Sequence, residues 1–419
     1  MRRLGWLDGW NCLKTATTPQ LIGVQYLRAI AALMVAYFHA LIQFPQYHPS
    51  LSRYLFADAH LANGVDLFFV ISGFIMLVSS QRTLPGDFVV RRIIRIVPLY
   101  WTLTTVLALI LLWHPALFRT TVMGAGYFAK SLLFVPYSNP GQQGQLFPLL
   151  APGWSLNLEM FFYAIFACAL FVPLNRRVVL AGVTFTILVG LGYLLRNAAL
   201  GAEIDFFFNF RLFEFLFGMM IAQFYLARSL RFPAVVSLIL ILGGFLTLLA
   251  GFPMLHLAGG STLQVLLENE LPAAALVLGI VSLEAKRGLP KLPFLAFLGD
   301  ASYSMYLSHI FSLGAASKIW LMTGLMRPTT SSAVEFVFFA LVFVVIGTAF
   351  TYRVLEQPML LRLQRLYALR RTAVPQLERV GITQDVRAIP LRFIALAPEN
   401  PPVPAVRAPG TASGMNPVG

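Results

Sequence analysis

Arg28 and His39 stand eleven residues apart in the stretch YLRAIAALMVAYFHA, and every side chain between them is apolar or a tyrosine. At 100° per residue, eleven positions make three helical turns plus about 20°, so the two share one face about 16 Å apart along the axis. An arginine turned to lipid costs about 2.5–3.5 kcal/mol even on insertion scales, so that face should point into a helix bundle. Alone, the arginine can snorkel to the interface and the histidine can be satisfied by a neighbouring helix. Together on one stripe they suggest a cation that holds a charged group and an imidazole that takes a proton.

Other ionisable residues sit inside apolar runs. NGVDLFFVISGFIM places Asp66 near one boundary, with Ser72 deeper, and PGWSLNLEMFFY places Glu159 about one turn past the interfacial Trp154. Glu214 and Arg211, in FNFRLFEFLFGM, are spaced to pair with each other, and His309 lies in DASYSMYLSHIFS. Polar glue between helices explains such groups as well as function does, more readily for His309 and Glu214 than for Glu159 and Asp66. RRIIRIVPLYW sets Arg91, Arg92 and Arg95 at the mouth of another run, Arg91 and Arg95 on one face and Pro98 a turn below. Basic residues at a helix end need no ligand. With Arg28 at similar depth, however, they form a cluster suited to phosphate oxygens, which guanidinium forks match two at a time. A long phosphorylated donor resting on the arginines, its reactive end reaching His39, would suit group transfer across a membrane.

The elements that must position these residues are membrane helices. The 419-residue chain is 58% hydrophobic and 11% charged, with 36 phenylalanines, which places it among integral membrane proteins. Its net charge of +14 does not indicate nucleic acid, because the basic residues cluster at the ends of apolar segments. With two cysteines, Cys12 and Cys168, neither a disulfide framework nor a cysteine-based zinc site is expected, and no metal site is assigned. Ten spans are expected, at about 22–44, 64–81, 96–113, 154–173, 178–196, 206–226, 234–251, 271–284, 301–322 and 334–355. The fold expected is therefore an all-α polytopic bundle. The first run is read as a span and not as a cleaved leader. Arg2, Arg3 and Lys14, then Arg82, Arg91, Arg92 and Arg95, Arg176 and Arg177, Arg228 and Arg231, Lys286, Arg287 and Lys291, and Arg362, Arg365, Arg370 and Arg371 fall in alternate loops. The loops between carry only Arg53, Arg119, Lys130, Arg196 and Arg327, so both termini are expected in the cytoplasm. Residues 114–153 should cap the outer mouth. The organisation is then a cytoplasmic segment, 1–20, a transmembrane domain, 21–360, and a basic, then Pro/Ala-rich tail, 361–419, of disordered composition.

The same residues carry a resemblance. LRAIAALMVAYFH, GVDLFFVISGFIM, RRIIRIVPLYW, PGWSLNLEMFFYAIF, FEFLFGM, LGDASYSMYLSHI and LEQP occur in order. Together they resemble the membrane acyltransferase-3 family, especially its bacterial exopolysaccharide acetyltransferases, from about 20 to 360. The resemblance implies O-acyl transfer, usually of acetyl, to a hydroxyl of a polysaccharide or lipid-linked glycan, with cytoplasmic acyl-CoA (acetyl-CoA) as a donor that is not tightly bound. It implies multi-pass residence in the bacterial inner membrane and work beside polysaccharide-assembly proteins. His39 would be the catalytic base and Arg28 its partner in the Arg-x10-His motif. Arg91, Arg92 and Arg95 match the motif associated with the donor, Glu159 the glutamate of the Trp-Ser-Leu motif, and Glu356 the acidic residue of the terminal motif, with Asp66, Trp154 and Glu356 assigned to substrate. The sequence departs from the pattern at Gln25 and Tyr26, where many relatives read Asp-Gly, so no carboxylate is expected there. The hydrolase-like domain that many relatives append is not expected in the short polar tail.

Direct attack by the acceptor hydroxyl and an acyl-histidine or acyl-serine intermediate are both compatible with these residues, as are Glu159 or Asp66 orienting the imidazole. A glycan transporter or flippase also needs polar groups at the midplane, but the inverted repeats and broken helices common in transporters are not evident. A polysaccharide polymerase would want its arginines facing outward.

Overall fold

The computed structural model describes residues 21–44, 62–114, 122–140, 145–195, 201–250 and 265–379, and among these every regular element is helical. The helices are α1 (Ile22–Gln43), α2 (Gly64–Ser79), α3 (Pro85–Trp113), α4 (Ala125–Leu132), α5 (Gly153–Ala169), α6 (Leu174–Leu195) and the single turn α7 (Ala202–Asp205). They continue with α8 (Leu212–Leu226), α9 (Ala234–Ala250), α10 (Leu271–Arg287), α11 (Pro293–Asp300), α12 (Ser302–Met322), α13 (Thr330–Phe350) and α14 (Gln357–Arg379). Each of the ten apolar runs read from the sequence contains a helix. Five helical stretches are long and apolar enough to cross a membrane: Ile22–Gln43, Pro85–Trp113, Leu174–Leu195, Leu266–Arg287 and Thr330–Arg371. Gly64–Ser79 and Ala234–Leu249 are shorter apolar helices. The protein is a multi-pass membrane protein. Arg2, Arg3, Cys12, Lys14, Arg53, Arg119, Arg196 and the tail beyond residue 379 lie outside the described residues.

The described residues up to Leu361 form one compact unit. Within it α1 packs against α2, α10, α11, α12 and α13, which makes the helix carrying Arg28 and His39 the hub of the bundle. α1 has no capping side chain of its own at Leu21. Its first amides are capped from 261 and 262 residues away, Ile22 N and Gly23 N donating to the two carboxylate oxygens of Glu284 at 2.7 and 2.8 Å. A carboxylate there both satisfies orphan donors and opposes the positive end of the helix dipole. The phenol of Tyr26 donates to Pro290 O at 2.6 Å and accepts from Leu292 N at 2.7 Å, anchoring the segment that leads into α11.

α2 and α8 approach until their backbones touch. A Cβ added at Gly73 would lie 2.0 Å from Phe215 O, and one at Gly218 would lie 2.0 Å from Val70 O. In lipid, where apolar surface gains little from burial between helices, such small-residue contacts let dispersion hold a pair together. Phe162 stacks on Phe215 at 4.2 Å beside this seam and brings α5 onto it. Arg177 is buried at the start of α6 and reaches back to Ser80 O at 2.9 Å, a cation on the carbonyl end of α2. The described residues after Leu361 belong to a second unit and carry the arginine-rich continuation of α14.

Candidate functional site

Two cavities lie along α1 and share lining. The first, about 160 Å³, is lined by Arg28 of α1, Ser72 of α2, Arg92 and Arg95 of α3, Glu159 and Tyr163 of α5, and Tyr303 of α12, with apolar neighbours. Four residues of that set, Arg28, Arg92, Arg95 and Glu159, are singled out by sequence alone. Arg91 is not among them. It is exposed, and the cavity takes the i, i+3 pair Arg92 and Arg95 in place of the expected i, i+4 pair.

The three guanidiniums are held differently. Arg95 donates to Glu356, whose other oxygen accepts from Ser304 N at 3.1 Å and from the Ser304 hydroxyl. Glu356 is 3% exposed, is in the lining of neither cavity, and holds Arg95. Arg95 also lies over the Tyr303 ring, 5.6 Å from its centroid. Arg28 donates to Gln25 Oε1 at 3.2 Å, one of the two positions where the sequence departs from the expected pattern. A neutral amide there leaves the charge of Arg28 uncompensated by its neighbour. Arg92 sits over the rings of Phe88 and Tyr163 at 5.6 and 6.0 Å, its Nε buried without a hydrogen-bond partner. Glu159 accepts at one oxygen from Ser72, at 3.0 Å, and from Tyr163. The cavity lining is net cationic, which suits an anion with several oxygens.

The second cavity, about 620 Å³, lies against the C-terminal turns of α1 and is lined by His39, Trp154, Arg211 and Tyr306 together with residues 145–147 and Pro152. The segment expected to cap the outer mouth thus contributes to the wall around the histidine. His39 Nδ1 is 2.8 Å from Val35 O, and a carbonyl can only accept, so Nδ1 carries the hydrogen and Nε2 keeps a lone pair. That is the tautomer a general base needs. Arg211 lies 5.5 Å over the Trp154 ring and donates to Asp66, with Glu214 a further 3.6 Å contact. Arg211 and Glu214 do approach each other, but the short partner is Asp66, 1% exposed and outside the cavity wall. Asp66 thus holds the guanidinium of Arg211, which lines the cavity.

Arg28 and His39 do not line one channel, as their common stripe suggests; they open into neighbouring cavities. Val65 and Tyr306 line both, and form the partition. The Tyr306 hydroxyl is 2.7 Å from Ser155 Oγ and donates to Pro152 O at 3.0 Å, which holds the partition in place. Helical phase places two side chains on one face, but it says nothing of a tyrosine arriving between them from α12. Tyr163, Tyr303 and Tyr306 are site residues that sequence reasoning misses. Their signal was the aromatic content of FFYAIF and SYSMYL, which reads as ordinary packing.

The family model described as an acyltransferase domain matches residues 21–353, which include every one of these side chains except Glu356. The chain is similar to the exopolysaccharide production protein ExoZ of Rhizobium meliloti (strain 1021), 38% identical over 307 residues, covering 72% of this chain and 90% of the relative. No solved structure matches. On the family match and that similarity, the chain belongs to this acyltransferase family and is an acyltransferase of the membrane.

Proposed function

We propose that the protein moves an acyl group, acetyl as the sequence resemblance implies, from acyl-CoA to a hydroxyl of an exopolysaccharide or its lipid-linked precursor. The observation that carries this reading is the shared wall: a cavity lined by three arginines and a cavity lined by a histidine have Val65 and Tyr306 in common. Ten spans with both termini in the cytoplasm, in a bacterial inner membrane, complete the reading, on the charge bias of the loops. Arg28, Arg92 and Arg95 then receive the phosphates of the donor from the cytoplasmic side, and the glycan enters the larger cavity over Trp154 and Arg211. The name of the relative supports a polysaccharide acceptor.

In the reaction His39 Nε2 takes the proton of the acceptor hydroxyl while that oxygen bonds the thioester carbonyl carbon. The carbon–sulfur bond breaks, and the sulfur leaves as a thiol after receiving the proton. Tyr306 has to yield for the thioester to reach the hydroxyl, since its ring lines both cavities. The test is to incubate the protein in vesicles with acetyl-CoA labelled in the acetyl group and with glycan from cells that lack the chain. Label should pass into the glycan and be released by mild base as acetate, as an ester linkage requires. Glycan that stays unlabelled with intact, folded protein rules the reading out.

A further inference from the structure

A further cavity, about 350 Å³, lies where α2, α8 and α10 end. Val78 and Gln81 line it at the end of α2, Tyr225 in the last turn of α8, Ala285 in the last turn of α10, and Arg228 and Arg231 in the loop that leads to α9. That loop is built to hold its shape. Ser229 N donates to Phe224 O at 3.1 Å and Arg228 N to Tyr225 O at 3.0 Å, the paired bonds that close a helix on a left-handed residue. The left-handed residue is Arg228, at φ 57°, where glycine would carry less strain. Leu230 is buried, and Phe232 N donates to Ser282 Oγ at 3.0 Å, which pins the far side of the loop onto α10.

An arginine at a helix end commonly caps the last carbonyls or pairs with an acid. Here neither guanidinium does so: among the described residues, Arg228 and Arg231 donate no side-chain hydrogen bond and form no ion pair. The Phe224 carbonyl accepts from the Ser229 hydroxyl instead, at 2.9 Å. Glu284, the residue before Ala285, has its two oxygens on Ile22 N and Gly23 N. The cavity is therefore net cationic, with two unspent guanidinium forks and the Tyr225 hydroxyl, which also has no hydrogen-bond partner among the described residues. Such a set suits the oxygens of a phosphate. Its position selects the source. The cavity lies where apolar helices give way to a polar loop, and that loop is flanked by exposed Phe224 on α8 and exposed Val235 and Ile239 on α9. On a multi-pass membrane protein, exposed apolar helix surface meets acyl chains. A ligand with a phosphate head and a hydrocarbon body satisfies both surfaces.

We propose that this cavity binds the phosphate of an anionic membrane phospholipid, held by Arg228 and Arg231, with the acyl chains against the exposed apolar surface of α8 and α9. None of its lining residues lines either cavity of the acyl-transfer site, and the inference does not depend on that reading. The bound lipid joins the ends of α2, α8 and α10.

The experiment titrates the full chain, delipidated in a neutral detergent, with dioctanoyl phosphatidylglycerol, dioctanoyl phosphatidylcholine or inorganic phosphate, reading bound ligand by native mass spectrometry and stability by thermal unfolding. Wild type should bind phosphatidylglycerol at least about tenfold more tightly than phosphatidylcholine, and the double variant Arg228→Gln/Arg231→Gln should lose at least about tenfold of that affinity, since each cation near an anionic lipid is worth about fivefold. A charge-matched control, Arg91→Gln/Arg176→Gln, removes two exposed cations that line none of the three cavities and should bind as wild type does. Arg228→Gly, whose backbone suits φ 57°, should unfold no lower than wild type without lipid and still bind phosphatidylglycerol about fivefold more weakly. Equal phosphatidylglycerol affinity in wild type and the Arg228/Arg231 double variant, an equal loss in the control, or phosphatidylcholine bound as tightly as phosphatidylglycerol overturns the proposal. Inorganic phosphate bound as tightly as phosphatidylglycerol overturns the lipid as the source of the phosphate.

Discussion

Arg95 and Glu356 are 261 residues apart in the chain and form an ion pair, with Glu356 also gripping the first turn of α12 through the backbone and hydroxyl of Ser304. One carboxylate thereby aims a guanidinium into the smaller cavity and ties α3 to α12 and to the turn after α13. Removing one partner of a pair this buried leaves the other uncompensated, at about 3–5 kcal/mol. Glu356→Ala should therefore yield a less stable protein whose remaining folded fraction shows a raised KM for acyl-CoA. Glu356→Gln, which still accepts from Ser304, should keep most of the stability and still lose donor affinity. Thermal unfolding in detergent alongside donor titration separates the two effects; unchanged donor KM in both variants would remove Arg95 from the donor site.

Arg91 and Arg92 are neighbours in sequence with opposite expectations. Arg92 lines the cavity with a buried, unpartnered Nε, and Arg91 is exposed. Arg92→Ala should raise the donor KM about tenfold or more, the worth of one charge-assisted contact, and Arg92→Lys should recover little of it because an ammonium cannot reproduce the fork. Arg91→Ala should leave the donor KM within about twofold. Initial rates against acyl-CoA concentration decide it, and equal sensitivity of the two positions contradicts the assignment.

How much of this was legible beforehand follows from what one helix can show. The ten apolar runs located ten helices because their length and composition are local properties. Arg28, Arg92 and Arg95 meet in one cavity, as their similar depth suggested, and Glu159, expected nearer the outer entrance, lines it with them. Helical phase failed where a partner comes from elsewhere. It could not show that Glu356 would be consumed by Arg95, that Asp66 would claim Arg211, or that Tyr306 would stand between Arg28 and His39. His309 reads as polar glue until its ring is found against His39. Local pattern fixes depth and face; tertiary pairing decides which buried charges remain free for a ligand.

The seam between α2 and α8 makes a prediction about assembly. A side chain at Gly218 would meet the Val70 carbonyl at 2.0 Å, with backbone on both sides and no flexible end to move aside. Gly218→Val should destabilise by more than the about 1–3 kcal/mol typical of overpacking, because two helix backbones have to part. Gly190, whose added Cβ would meet nothing within 4 Å, serves as the control as Gly190→Ala. Detergent melting curves test this, and a Gly218→Val protein as stable as the control contradicts the packing.

Glu284 supplies the cap that α1 lacks, bonding both Ile22 N and Gly23 N. Glu284→Gln retains one acceptor and loses the charge at the helix start, so about 0.5–2 kcal/mol of stability should go, with activity falling only as far as α1 frays toward Arg28. Amide exchange at residues 22–26 should quicken in the variant and stay unchanged around His39. Uniform protection along α1 would remove the carboxylate as its cap.

The central claim is that His39 performs the proton transfer. It is tested most directly by replacing His39 with Ala and with Gln, confirming equal amounts of folded protein, and counting acetyl label transferred from acetyl-CoA to glycan per molecule of enzyme. Both variants should fall at least about 100-fold below wild type while binding acyl-CoA with unchanged affinity. Transfer at the wild-type rate by either variant would mean that another group takes the proton and that the imidazole beside the larger cavity is structural.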